Sequence, residues 1–174
     1  MLKITKYVLY DILRNKILIA YTAFLMILSC CLFYLEENPD KAISSLLTIV
    51  TIIIPLIAMI FTTTYFYNSS EFIELLVSQP LKRNTILMAE YVGIAGSLLI
   101  ALLVGLGIPI CIYALDTLGI TLLFTGVLLS LIFTSLAFLC SILTRDKAKG
   151  IGLSLLIWFF FSVVYDGLIL GILF

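Results

Sequence analysis

Three stretches of this sequence carry no charged side chain: Ala42 to Ser70, Tyr91 to Leu115, and Thr117 to Thr144. Each is longer than the roughly 20 residues an α-helix needs to cross the hydrocarbon core of a bilayer. A chain built this way has lipid as its main solvent. Composition agrees, since 63% of the residues are hydrophobic and 11% are charged, where an ordinary soluble domain carries about 25% charge. The pattern gives five apolar spans, Ile17 to Leu35, Ala42 to Tyr67, Thr85 to Leu115, Thr117 to Leu143 and Ala148 to Phe174. The expected fold is an all-α integral membrane protein, a single transmembrane domain over residues 1–174 whose longer spans tilt or break. Span five runs to Phe174 with no polar flank, so a further helix is expected beyond it.

Ten basic and ten acidic residues balance, and no basic tail points to a nucleic acid. The distribution of charge is nevertheless lopsided. With the N-terminus in the cytoplasm, Lys3, Lys6, Arg14, Lys16, Lys82, Arg83, Arg145, Lys147 and Lys149 lie on the inner side, and only Lys41 lies outside. That is the asymmetry of a positive-inside topology. The outer loops then hold Glu36, Glu37, Asp40 and Asp116, and tyrosines mark the boundaries, Tyr34 and Tyr113 outside, Tyr65, Tyr67 and Tyr91 inside. Residues 1–16, MLKITKYVLYDILRNK, read as an amphipathic helix on an anionic membrane surface.

One polar interruption, residues 68–84 (NSSEFIELLVSQPLKRN), divides spans two and three on the cytoplasmic side. Asn68 is a candidate N-cap, with Glu71 placed to complete a capping box. Glu71 and Glu74 suit the positive end of a helix. Pro80 ends it, with Gln79 pushed out of helical geometry. Glu71, Glu74 and Ser78 share a narrow polar face, and Phe72, Ile73, Leu75, Leu76 and Val77 cover the rest. Such a helix lies in the membrane surface or presses into another protein's groove; the plainer reading is a surface helix that only turns the chain.

Small residues recur every four positions along span three, at Ala89, Gly93, Ser97, Ala101 and Gly105, and along span four at Gly126, Ser130 and Thr134. These are packing faces. Pro55 sits inside span two, and Gly105, Gly107 and Pro109 soften the outer part of span three.

Several chemistries are excluded. Histidine is absent, which removes the usual general base, zinc ligand and pH switch together. No GxxxxGK[ST] phosphate loop occurs, so ATP is not bound by that device. Cys30, Cys31, Cys111 and Cys140 fall in apolar runs and read as small hydrophobes. Binding of copper or another soft metal is the alternative reading of such thiols, although Cys30 and Cys31 point about 100° apart on a helix. Asp166 lies about 25 Å along the helix from Lys149, near the outer surface. It is either an interfacial acid or a residue of the substrate path. No catalytic residue, cofactor or metal site is expected.

The chain resembles the membrane subunits of type-2 ABC transporters. The shared pattern is an N-terminal surface helix, two spans and a short cytoplasmic coupling helix, here ending Glu74-Leu75-Leu76-Val77-Ser78-Gln79-Pro80-Leu81-Lys82-Arg83. Within that family it is most similar to the permeases of nitrous oxide reductase maturation. That likeness rests on residues 67–74, on the loop from Leu143 to Gly150 and on Trp158 through Asp166. The resemblance implies six spans, a homodimer of permeases in a bacterial inner membrane, a separate ATPase subunit and a periplasmic partner. It implies support of copper-site assembly by copper or sulfur delivery. It also makes Glu71, Phe72, Glu74, Leu75, Leu76, Ser78, Gln79, Lys82 and Arg83 the ATPase contact, with Arg145, Asp146 and Lys147 as a second cytoplasmic loop. An exporter of a drug, lipid or peptide has the same pattern, and a membrane scaffold that transports nothing is the reading from another class.

Overall fold

The computed structural model describes residues 2–36, 38–69, 83–114, 116–144 and 146–164. Among them the ordered elements are helical, and five helices are long and apolar enough to cross a membrane. A short helix, α1 (Leu2–Leu13), leads into α2 (Lys16–Leu35), and α3 (Pro39–Asn68) runs back. The next crossing comprises α4 (Arg83–Leu102), a wider π-helical turn (Leu103–Gly107) and α5 (Ile108–Tyr113). Then come α6 (Thr117–Leu143), α7 (Lys147–Phe159) and a second π-helical turn (Phe160–Val164). Asp11 of α1, Thr144 at the end of α6, Lys147 at the start of α7 and Glu90 in the first half of α4 all meet the end of α3, at the end of the bundle that holds α1.

Local chemistry sets the boundaries. Asn15 separates α1 from α2 and accepts the Ile17 N–H on its side-chain oxygen at 3.0 Å, as an N-cap does. Pro39 opens α3, where its missing N–H costs nothing, and Asp40 sits in the first turn beside the positive helix end. At 1.5 Å per residue, the 30 residues of α3 extend about 45 Å, well beyond a hydrocarbon core of about 30 Å. The helix continues through Pro55, which has no N–H to offer the Thr51 carbonyl. Trp158 Nε1 of α7 donates to the neighbouring Ile52 carbonyl at 3.2 Å. In the third crossing, Pro109 likewise deprives the Gly105 carbonyl of a donor, and Ser29 Oγ of α2 donates to it at 3.3 Å. The softened segment expected from Gly105, Gly107 and Pro109 is this π-helical turn.

The small-residue faces are where helices meet. A Cβ on Gly93 would stand 2.5 Å from Val8 Cγ1 of α1, and one on Gly105 would stand 2.8 Å from Leu25 Cβ of α2. Span three thus uses one half of its stripe for α1 and the other half for α2. On α6, a Cβ at Gly126 would reach Ile54 at 3.3 Å and Leu102 at 3.4 Å. The resulting core joins Leu46, Ile54 and Met59 of α3 with Ile94, Leu98 and Leu102 of α4 and Leu122 of α6. The third crossing is the most enclosed, 56% buried, and α7 with its π-turn is the least, at 11%. The N-terminal helix does not stand apart: Val8 and Ile12 are buried against the bundle, while Tyr7 and Tyr10 face outward.

Candidate functional site

Most side-chain hydrogen bonds between helices among the described residues gather at the α1 end. Four residues at the end of α3 make them. Tyr65 donates its hydroxyl to Asp11 Oδ2 of α1 at 3.0 Å. The Tyr67 hydroxyl donates to the Thr144 carbonyl at 2.8 Å, in the turn between α6 and α7. Asn68 Oδ1 accepts from Lys147 Nζ, at the start of α7, at 2.8 Å. Ser69 Oγ donates to Glu90 Oε1 of α4 at 2.6 Å. Successive helical residues point about 100° apart, so positions 65, 67, 68 and 69 fan out to four different neighbours. Gly150 permits this approach, because a Cβ there would lie 2.6 Å from the Tyr67 hydroxyl oxygen.

Glu90 is the acid of this cluster that the apolar surroundings enclose, 3% exposed. One carboxylate oxygen holds Ser69, and Oε2 has no hydrogen-bond partner among the described residues. Its sequence signal is faint: it immediately precedes the uncharged run that begins at Tyr91, and it reads as an ordinary boundary residue. Asp11 and Ser69 carry no sequence signal of their own, and Tyr65 reads only as a boundary tyrosine, since only the fold brings α1 against the end of α3.

The expected site residues fall into three groups. Glu71, Phe72, Glu74, Leu75, Leu76, Ser78, Gln79, Lys82, Arg145 and Asp166 lie outside the described residues. Arg83 begins α4. Asp146 and Lys147 have structural partners. Asp146 caps α7 by accepting the Ala148 N–H at 3.1 Å, and Lys147 holds Asn68. Asn68, the candidate cap of a following helix, closes α3 with its side-chain oxygen already engaged by Lys147. Arg83 aside, the contact residues of the polar interruption therefore belong to a stretch whose two flanks, Ser69 and α4, are tied to each other through Glu90.

Metal chemistry finds no cluster here: among the described residues no three His, Cys, Asp or Glu side chains converge. Cys140 is buried in α6, Cys30 is half-buried in α2, and Cys31 and Cys111 are exposed.

Among the described residues, five helices long and apolar enough to cross a membrane, braced at the end where the polar interruption enters and leaves, define a multi-pass membrane protein. The chain belongs to the ABC-2 family of transporter proteins, whose sequence profile matches residues 2–173. Among curated proteins it is 28% identical to the probable ABC transporter permease protein NosY of Stutzerimonas stutzeri, over 95% of this chain and 67% of that relative. The NosY permease of Pseudomonas aeruginosa is also 28% identical, over 95% of this chain and 68% of the relative. The chain is accordingly an ABC transporter permease subunit, similar to NosY, a multi-pass membrane protein that works with an ABC ATPase.

Proposed function

We propose that the chain is the permease through which a NosF-like ATPase drives a step in copper-site assembly of nitrous oxide reductase, by delivery of copper or a sulfur species. The observation that carries this reading is the match to NosY permeases along 95% of the chain. ATP hydrolysis resides in the separate subunit, in keeping with the missing phosphate loop. A homodimer of permeases and a periplasmic NosD-like protein complete the assembly in a bacterial inner membrane.

In this reading the N-terminus is cytoplasmic, supported by the nine-to-one division of basic residues between the two sides. The α1 end then faces the ATPase. The stretch Ser70–Gln79 is the coupling helix, with Phe72, Leu75 and Leu76 in a groove of the ATPase and Glu71 and Glu74 at that groove's rim. Lys82 and Arg83 hold the helix end at the lipid headgroups. The four bonds at the end of α3 support it: a push on that stretch reaches α1, α4 and the α6–α7 turn together instead of being absorbed.

The test is to replace the chromosomal nosY of a denitrifying bacterium with this gene and measure the copper content of its nitrous oxide reductase. Restored copper loading together with co-purification of the ATPase is expected. Co-purification without any effect on the enzyme would transfer the chain to the exporters of drugs, lipids or peptides. Absence of an ATPase partner would leave a scaffold. A periplasm-active reporter fused after Lys82 should stay inactive and one fused at Asp40 should be active; the reverse would invert the topology.

A further inference from the structure

Between α2 and α3 the bundle is cleft. A cavity of about 320 Å³ runs down this cleft, walled by Tyr21 and Phe24 on one side and by Ile57, Ile60 and Phe61 on the other. The α2 wall extends from Asn15 to Phe24 and the α3 wall from Asn68 to Leu56. The walls cover nine and twelve steps, about 14 and 18 Å at 1.5 Å per residue, close to half of a hydrocarbon core of about 30 Å. Both walls therefore end at the depth of one leaflet. Ile17, Phe24 and Ile60 are each more than a third exposed, so the cleft opens sideways, toward lipid.

The top of the cleft is polar. Asn15, Tyr65 and Asn68 line both the apolar cleft and a second cavity of about 300 Å³, which adds Tyr7, Asp11 and Ser69. The two cavities thus adjoin at these three residues, an apolar shaft beside a polar mouth. The mouth carries both signs of charge: Asp11 lines it, while Lys147 reaches Asn68 at its edge, and Arg14 and Lys16 flank Asn15. Pockets that bind small molecules have this volume and this balance, mostly apolar with a few placed polar groups. A water-soluble cargo has no use for an apolar shaft one leaflet deep. A phospholipid fits both parts, and a headgroup with an amine beyond its phosphate matches an acid set inside a basic rim.

We propose that this cleft is a binding site for one phosphatidylethanolamine molecule from the leaflet at the α1 end, with an acyl chain between α2 and α3 and the ammonium on Asp11. The phosphate then lies between Lys16 and Lys147. Because Tyr65 holds Asp11 and Asn68 holds Lys147, the lipid braces the same end of α3 that the four hydrogen bonds secure.

The full chain in nanodiscs of phosphatidylcholine containing a tenth phosphatidylethanolamine tests this, the latter carrying a diazirine on one acyl chain. Photolysis should label peptides from Lys16–Phe24 and Leu56–Tyr65 preferentially. Ala20→Trp, which fills the shaft from the lipid-facing side, should cut that labelling about tenfold. Asp11→Asn leaves the shaft intact and should reduce the preference over a matching phosphatidylcholine probe several-fold, with labelling by the phosphatidylcholine probe itself unchanged. Uniform labelling of all lipid-facing helices, unaltered by either substitution, overturns the proposal. So does efficient cross-linking between Phe24→Cys residues of two copies, which would make the cleft an interface between permeases.

Discussion

The Ser69 hydroxyl donates to Glu90 Oε1 at 2.6 Å, so the C-cap residue of α3 is bound to α4 across the intervening residues 70–82. The carboxylate is almost wholly enclosed, and Ser69 is its hydrogen-bond partner among the described residues. Leaving a buried acceptor without its donor costs about 1–3 kcal/mol, more for a charged group, whereas removing both partners is close to neutral. Ser69→Ala should therefore destabilise the permease by about 1–3 kcal/mol. Ser69→Ala with Glu90→Leu should recover most of it, and Glu90→Gln alone should cost less, because an amide oxygen still accepts from Ser69. Thermal unfolding of the purified permease in detergent measures all three. A Ser69→Ala variant as stable as the parent would show that this bond does not hold the end of α3.

A side chain at Gly150 collides with the ring and hydroxyl of Tyr67. Gly150→Ala should cost about 1–3 kcal/mol by overpacking, even though alanine is the better helix former by about 1 kcal/mol. In a Tyr67→Ala background the clash with the ring disappears and the close atom left is Thr144 Oγ1 at 2.9 Å, a hydroxyl that can turn aside, so the helix preference should make the same substitution stabilising. A double-mutant cycle in thermal stability reads the sign change. Additive effects would separate Gly150 from the Tyr67–Thr144 contact.

Replacing Leu75 and Leu76 together with Asp places two charges in the apolar contact proposed for the ATPase. Unpaired buried charges cost several kcal/mol, enough to abolish an ordinary subunit affinity. The variant should still insert into the membrane, since neither residue lies in a span, but the ATPase should no longer co-purify and its turnover should no longer respond to the permease. If both persist, coupling belongs to the turn around Asp146 and Lys147.

Cys30, Cys31 and Cys111 lie toward the end opposite α1, and Cys140 lies in the α1-side half of α6. A set so scattered does not ligate one copper ion. Changing all four to Ala should leave maturation of nitrous oxide reductase within about twofold of the parent, because each acts as a small hydrophobe. Loss of the copper site with the permease still present in the membrane would restore a direct ligand role.

The sequence by itself determined the helices and their extents. A bilayer demands only length and freedom from charge, both of which are read one residue at a time, so Thr117–Leu143 is the same segment in sequence and structure, the five spans begin within a few residues of expectation, and the first four also end so; the expected end of span five lies outside the described residues. The four-residue spacing of Ala89, Gly93, Ser97, Ala101 and Gly105 likewise marked a packing face, because periodicity on a helix is a local property. Which helix fills that face is not local. The approach of α1 to Gly93 and of α2 to Gly105 follows from the shape of the whole bundle, and only the tertiary structure decided it. The same is true of Glu90. In sequence it is an acid at the mouth of a span, indistinguishable from one that meets lipid headgroups. It becomes a buried, hydrogen-bonded carboxylate only when the end of α3 is brought to α4 and places Ser69 against it. Residues far apart in the chain met there because the packing of apolar faces left one arrangement in which their polar groups could satisfy one another.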